Sequence, residues 1–253
     1  MMTQPTIDKL YSMKLSAMAR SFSDQLQSPD MASLSFEERF GLIVDYQMTD
    51  LENRRMLSRL KNARLRLSAA IEDLDFRQGR GLDRSTVMSL ARNHWVKSHH
   101  NILVTGPTGV GKSYLACALA QKACRDGHSV LYQRLPRLLH DIGISRHDGR
   151  YNKIMAPITK CEVLILDDFL ISPLSKEDQK ELLEIVEDRY DRRATIVTSQ
   201  LPVKAWHDAM QDPTLADAIL DRLVHNAYKL ELKGESMRRK KSVLDRRTEP
   251  MAE

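Results

Sequence analysis

A chain of 253 residues, 42% hydrophobic and 29% charged, can build one large core or a standard domain with a smaller appendage. Its 39 basic and 34 acidic side chains leave a formal charge of only +5, so the placement of the basic residues matters more than their total. No run nears the roughly 20 apolar residues of a membrane helix, the first ten residues lack the basic-then-apolar order of a secretory signal, and the three cysteines form no C-x-x-C pair; the chain reads as cytoplasmic, without membrane contact or structural metal.

In chain order, Ile7, Leu10, Tyr11, Leu15, Met18, Phe22 and Leu26 recur at spacings of three and four, which predicts one amphipathic helix ending near Pro29. Ser35 to Glu38 reads as a capping box. From it a helix runs through Phe40, Ile43, Val44 and Met48 toward Leu67. Its second half holds Arg54, Arg55, Arg59, Lys61, Arg64 and Arg66 with no acid among them. Helical spacing puts Arg55, Arg59 and Arg66 roughly on one side, with Met56, Leu60, Ala63 and Leu67 as an apolar stripe. Such a helix packs by one face and meets the phosphates of double-stranded DNA by the other. A solvated cationic face is the plainer alternative. No helix-turn-helix or zinc pattern argues for base-specific reading. Residues 1–75 are thus expected to form a small all-helical domain that binds DNA or a partner, and residues 76–253 a second domain. Gly79-Arg80-Gly81 punctuates the chain, and a short helix is expected from Ser85 to Asn93.

The pattern changes at Asn101. Ile102-Leu103-Val104 is an apolar run ending in Thr105-Gly106-Pro107, as in a buried strand that enters a turn. Leu115, Ala118, Leu119 and Ala123 then mark a helix closed by Gly127, with Cys117 and Cys124 on its buried face. Further strands are expected at Ser129–Tyr132, Val163–Leu166, Thr195–Thr198 and Tyr228–Leu232. Between them lie helices at Pro136–Ile142, Lys176–Tyr190, around Trp206 and at Leu215–Leu223. This alternation predicts an α/β fold, a five-stranded parallel sheet with helices on both faces.

Gly106-Pro107-Thr108-Gly109-Val110-Gly111-Lys112-Ser113, followed by Tyr114, fits G-x-x-x-x-G-K-[ST]. The glycines let successive backbone N–H groups turn inward on a β-phosphate, and the helix that begins there adds its partial positive charge. Lys112 can reach the β- and γ-phosphates, and Ser113 can place its hydroxyl on Mg²⁺. Val163-Leu164-Ile165-Leu166-Asp167-Asp168 supplies the second acid such a site requires. Asp167 is expected to hold Mg²⁺ directly or through water; Asp168, pointing the other way, to orient or deprotonate an attacking water. The expected activity is Mg²⁺-dependent ATP hydrolysis.

Besides the P-loop, the chain carries, in order, Asp167-Asp168-Phe169, Arg189-Tyr190, Thr198-Ser199-Gln200-Leu201-Pro202, Ile219-Leu220-Asp221-Arg222-Leu223 and Gly234-Glu235-Ser236-Met237-Arg238. With these it resembles the IstB branch of the AAA+ ATPases, transposition helpers that also resemble bacterial replicative helicase loaders. The segment 62–76 resembles that branch as well. The resemblance implies a P-loop AAA+ domain and a polar sensor at Thr198, Ser199 or Gln200, with Ser199 preferred. It further implies an arginine finger at Arg222 that completes a neighbouring subunit's site, and a second sensor at Arg238 or the adjacent Arg239. It also implies self-association into an ATP-dependent oligomer on duplex DNA that helps a transposase select or remodel its target. A replicative helicase loader is the alternative. A small-molecule kinase would need an acceptor pocket and an arginine-bearing lid, for which 147–151 is short. Many AAA+ proteins carry glutamate where this chain has Asp168; the shorter side chain implies slow intrinsic hydrolysis. The run Arg238-Arg239-Lys240-Lys241 is a second place for phosphate contacts.

Overall fold

The computed structural model describes residues 3–76 and 81–237. Its contacts divide the chain into two compact units, Met1–Ser58 and Arg59–Glu253. Residues 59–75 therefore belong with the second unit, and the division expected after residue 75 falls earlier.

The first unit is helical. Where the periodicity predicts one helix there are two, α1 (Thr3–Ser12) and α2 (Ser16–Gln27). Lys14 sits between them at φ 62°, a left-handed residue that no α-helix accommodates, and the amide of Leu15 closes back on the Leu10 carbonyl at 2.9 Å. The capping box forms: the Ser35 amide donates to Glu38 Oε2 at 2.8 Å, and the Glu38 amide to Ser35 Oγ at 3.2 Å. It opens α3 (Phe36–Ala63), on which α2 is fastened by the Met18 amide donating to Gln47 Oε1 and by Gln25 Nε2 donating to the Arg39 carbonyl. The small residues Ala17 and Ala19 are fully buried, which lets the helices approach closely. α3 stops at Ala63, short of the expected Leu67, because Arg64 turns left-handed at φ 51°.

The second unit is built on the strands β1 (Asn101–Thr105), β2 (Val130–Arg134), β3 (Val163–Phe169), β4 (Ala194–Ser199) and β5 (Ala227–Glu231). They run parallel in the order β2-β3-β4-β1-β5. The strands β1, β3 and β4 are buried along almost their whole length, the hydroxyl residues of β4 included, as strands covered by helices on both faces must be. On one face α4 (Arg84–Leu90), α5 (His94–Lys97) and α6 (Lys112–Arg125) pack with Ala63, Ala69 and Ile71 against Ile102, Val104 and Ile165. On the other lie α7 (Leu135–Asp148), α8 (Tyr151–Lys160), α9 (Lys176–Arg189) and α10 (Pro213–Val224).

Three elements differ from expectation. α7 runs on to Asp148 and ends at Gly149, which takes φ 74°. α8 is not legible in the sequence, since Pro157 lies inside it and only Met155 and Ile158 are buried. The residues before Trp206 form a single 3₁₀ turn, Val203–Ala205, that seats the indole against Phe169 with ring centroids 4.6 Å apart. Among the described residues no helix is long and apolar enough to cross a membrane.

Arg189 explains one sequence motif. It is buried, and its guanidinium donates to the carbonyls of Ile158 (2.6 Å), Cys161 (3.0 Å) and Ala194 (2.5 Å) and to Thr195 Oγ1 (3.2 Å). It thus gathers the end of α8 and the starts of β3 and β4 around one cation. Replacing it by leucine strands those acceptors in a dry site. Arg189→Leu is expected to lower the unfolding free energy by at least about 3 kcal/mol in urea titration, with Arg189→Lys recovering only part because an ammonium cannot fan its donors the same way.

Candidate nucleotide site

The loop after β1 is held from two directions. Gly106, Gly109 and Gly111 all have positive φ (142°, 85° and 106°), which gives the curl that aims amides inward. Two of them are also crowded by the segment beyond β5: a Cβ at Gly106 would overlap the Leu232 carbonyl, and one at Gly109 would overlap the Ser236 hydroxyl. That segment is pinned by the Leu232 amide on the Thr105 carbonyl (2.7 Å) and the Met237 amide on the Gly109 carbonyl (2.8 Å). Val110 is wholly buried and anchors the loop, while Thr108 Oγ1 donates to Gln200 Oε1 at 2.8 Å. Gly111 caps α6, so the helix N-terminus opens on the loop. Lys112 Nζ folds over it, donating to the carbonyls of Gly106 (2.7 Å) and Pro107 (2.8 Å).

Asp167 is completely buried at the end of β3. Its Oδ1 accepts from Ser113 Oγ at 2.8 Å and from Thr198 Oγ1; its Oδ2 accepts from the Tyr132 hydroxyl at 2.5 Å and lies 3.5 Å from Arg66 Nη1. Burial alone would push this carboxyl up, but the bonds from Thr198, Tyr132 and Ser113 and the charge of Arg66 outweigh it and hold the pKa below the usual carboxylate range. Burial, followed by the neighbouring Asp167, pushes the Tyr132 phenol up, so it stays a neutral donor.

Asp168 sits at an irregularity within β3. Its φ is 61°, where the β3–β4 register shifts between Leu166 and Phe169. Its Oδ2 accepts from Arg134 Nε at 2.8 Å and lies 3.9 Å from Arg66 Nη1. Thr198 Oγ1 accepts from the Asp168 amide at 3.3 Å while donating to Asp167, so this hydroxyl touches both acids. Ser199, preferred as sensor from the resemblance, is instead turned away: its Oγ donates to the Phe169 carbonyl and accepts from the Leu201 amide. Alternation along β4 decides this, since neighbours on a strand face opposite sides.

Lys112, Ser113, Tyr114, Arg66, Arg134 and Asp168 line one cavity of about 680 Å³, inside the range of pockets that hold small molecules. Leu74, Leu82, Leu232 and Met237 form an apolar end to it. The residues fit a nucleoside triphosphate with Mg²⁺: inward-curling glycines for the phosphates, and a hydroxyl already paired with a carboxylate for the cation. Among the described residues no three His, Cys, Asp or Glu side chains cluster as metal ligands, so a cation here would rely on phosphate oxygens too.

Other predicted residues lie elsewhere. Arg222, on α10, pairs with Glu187 and donates to the Ala218 carbonyl. Its own carbonyl accepts from Asn101 Nδ2, at the start of β1. The P-loop leaves the far end of that strand, at roughly 3.3 Å per residue, so Arg222 cannot serve the P-loop of its own chain. Arg238, Arg239, Lys240 and Lys241 lie outside the described residues.

The members of the basic run meet different partners. Arg54 pairs with Asp50 at 2.8 Å, Arg59 Nε donates to the Cys124 carbonyl at 2.9 Å, and Arg66 stands past the end of α3 in the nucleotide cavity. Arg55, Lys61 and Arg64 are exposed. Arg66 does not share the expected helix face with Arg59, because α3 stops at Ala63. Sequence reasoning also missed Tyr132 and Arg134. Their spacing of two on β2 is a faint signal; for Arg66 the charge pattern points the wrong way.

Tyr132→Phe removes one donor from Asp167 and is expected to cost about 1–2 kcal/mol of stability at pH 7. Asp167 has a depressed folded pKa, so its contribution is present above the unfolded value near about 4 and fades as pH falls through the folded one. The difference between wild type and variant should therefore shrink below about pH 4, as followed by denaturant unfolding across a pH series.

A family model described as IstB-like ATP binding protein matches residues 8–245. A Sinorhizobium fredii protein named as an insertion sequence ATP-binding protein is 49% identical over 239 residues, 94% of this chain and 98% of the relative. The corresponding protein of insertion sequence IS21 from Pseudomonas aeruginosa is 32% identical over 248 residues, 96% of this chain and 94% of its own. Among solved structures, DnaI superposes with a TM-score of 0.59 at 25% identity, over 67% of this chain and 92% of that one. The DnaC helicase loader superposes at 0.58 and 20% identity, over 65% and 97%, a likeness of fold alone. The sheet, the P-loop and the buried acid at the end of β3 are those of an AAA+ P-loop domain, and the chain belongs to the IstB-like ATP-binding protein family.

Proposed function

We propose that this chain is a Mg²⁺-dependent ATPase that oligomerises on duplex DNA and helps a transposase select or remodel its target. The observation that carries the catalytic part is the 2.8 Å bond from Ser113 Oγ to Asp167 Oδ1 beside the curled loop. It joins the hydroxyl and the carboxylate that a nucleotide-borne Mg²⁺ requires, before either is needed. Bound magnesium would draw charge from the β- and γ-phosphoryl oxygens. Lys112 leaves its loop carbonyls for the phosphates. Asp168 orients the attacking water once Arg134 lets it go, and the short aspartate makes intrinsic turnover slow. Thr198 reports the state of the γ-phosphate by linking the two acids, and Arg238 comes directly after the segment bonded to the loop. Arg222, away from its own site, acts on a neighbour's, which makes assembly a condition of turnover.

The relatives named for insertion sequences support the transposition reading, and the exposed Arg55, Lys61 and Arg64 suit phosphate contacts. The fold likeness to DnaI and DnaC supports the second reading, a helicase loader. Work on DNA takes place in the cytoplasm of a bacterial cell.

Lys112→Ala is expected to abolish tight ATP binding in calorimetry, because the phosphates lose the lysine of their loop. Asp168→Asn should bind ATP yet hydrolyse it at least about tenfold more slowly; wild-type turnover in that variant would remove Asp168 from the mechanism. For DNA, changing Arg55, Lys61 and Arg64 to alanine should weaken binding to two unrelated duplexes alike. It should also flatten the log–log salt slope by up to about 0.9 for each phosphate no longer neutralised. Fluorescence anisotropy over a salt series, with and without ATP, reads this directly. No duplex binding by the wild type would instead favour the helicase loader.

A further inference from the structure

The basic run in the sequence points Arg66 at DNA, yet the folded chain puts it in the nucleotide cavity with Lys112 and Ser113. We propose that Arg66 is a γ-phosphate ligand acting within its own chain, resting on Asp167 and Asp168 until a triphosphate arrives. The inference rests on reading this cavity as an ATP site.

Four observations support it. First, Arg66 holds its acids loosely: Nη1 lies 3.5 Å from Asp167 Oδ2 and 3.9 Å from Asp168 Oδ2, longer than a good charged hydrogen bond. Second, neither acid depends on it. The same Oδ2 of Asp167 accepts from Tyr132 at 2.5 Å, and the same Oδ2 of Asp168 accepts from Arg134 at 2.8 Å. Arg66 can therefore leave without stranding a buried charge. Third, only the side chain must move. Arg64 fixes the turn at φ 51°, and the flanking Ala63 and Ala69 are buried in the core, while the Arg66 side chain is 40% exposed and lines the cavity. Fourth, both charges of an incoming Mg²⁺-triphosphate drive it the same way. A divalent cation beside Asp167 repels the guanidinium, and the terminal phosphate attracts it. A planar guanidinium matches phosphate oxygens in pairs.

An ADP molecule has the cation site and the β-phosphate but no γ-phosphate, so Arg66 should discriminate between the two nucleotides. The test is calorimetry in Mg²⁺ buffer with ADP and with the non-hydrolysable analogue AMPPNP, on wild type, Arg66→Ala and Arg66→Lys. Arg66→Ala should lose about tenfold in affinity for AMPPNP, the scale of one charge-assisted hydrogen bond. It should keep ADP binding within about twofold, which also shows that the variant folds. Arg66→Lys should recover part of the loss, since it keeps the charge but not the fork. Equal losses for both nucleotides, no change in either, or tighter AMPPNP binding in Arg66→Ala would each overturn the inference and leave the site standing. Failure of the wild type to bind either nucleotide would overturn the site reading, and the inference with it.

Discussion

The Asp167 carboxylate is removed from water near the end of β3, where an unpaired charge would be strongly destabilising. It is kept ionised by hydroxyl donors from three separate stretches of chain, Ser113 at the start of α6, Tyr132 on β2 and Thr198 on β4, while Arg66 stands further off at 3.5 Å. Each must arrive in register for the charge to be tolerated. The pairing of β2 with β3 and of β3 with β4 therefore fixes the chemistry of the cavity as much as the shape of the sheet. A slip of one residue would turn Tyr132 and Thr198 to the other face and deprive Asp167 of both donors.

The same economy governs the loop. Gly106 and Gly109 adopt a backbone that only glycine takes readily, and the same positions receive Leu232 and Ser236 against the space where a side chain would be. The phosphate cradle and the segment 232–237 are thus shaped together. Because the Met237 amide is bonded to the Gly109 carbonyl, a change of backbone at the loop is felt directly in that segment, and the reverse holds as well.

Charge along the chain is divided between uses that its linear order conceals. Arg54 serves an ion pair on its own helix, Arg59 caps the carbonyl of Cys124, and Arg66 faces the two acids, although all three belong to one basic run. Arg189, deep beneath the sheet, serves mainly backbone carbonyls. An arginine's role in this chain depends on which acceptors the fold leaves unsatisfied near it.

The sequence by itself determined the P-loop, the acid near the end of β3 and the alternation of strands and helices. These signals are local: a glycine spacing, a hydrophobic strand that ends in aspartate, and a period of 3.6 or 2 that each element carries within itself. It also determined the capping box that starts α3, for the same reason. The tertiary structure alone decided that the first helix breaks at Lys14, that α3 stops at Ala63, and that α8 forms despite Pro157, since each depends on packing or on a single left-handed residue rather than on a repeating pattern. It alone turned the Thr198 hydroxyl, and not that of Ser199, toward the acids, because strand direction and register set which way each side chain faces. It alone brought Arg66 to Asp167, two residues 101 positions apart, because a charge pattern read along a line carries no information about which distant carboxylate will close on it in space.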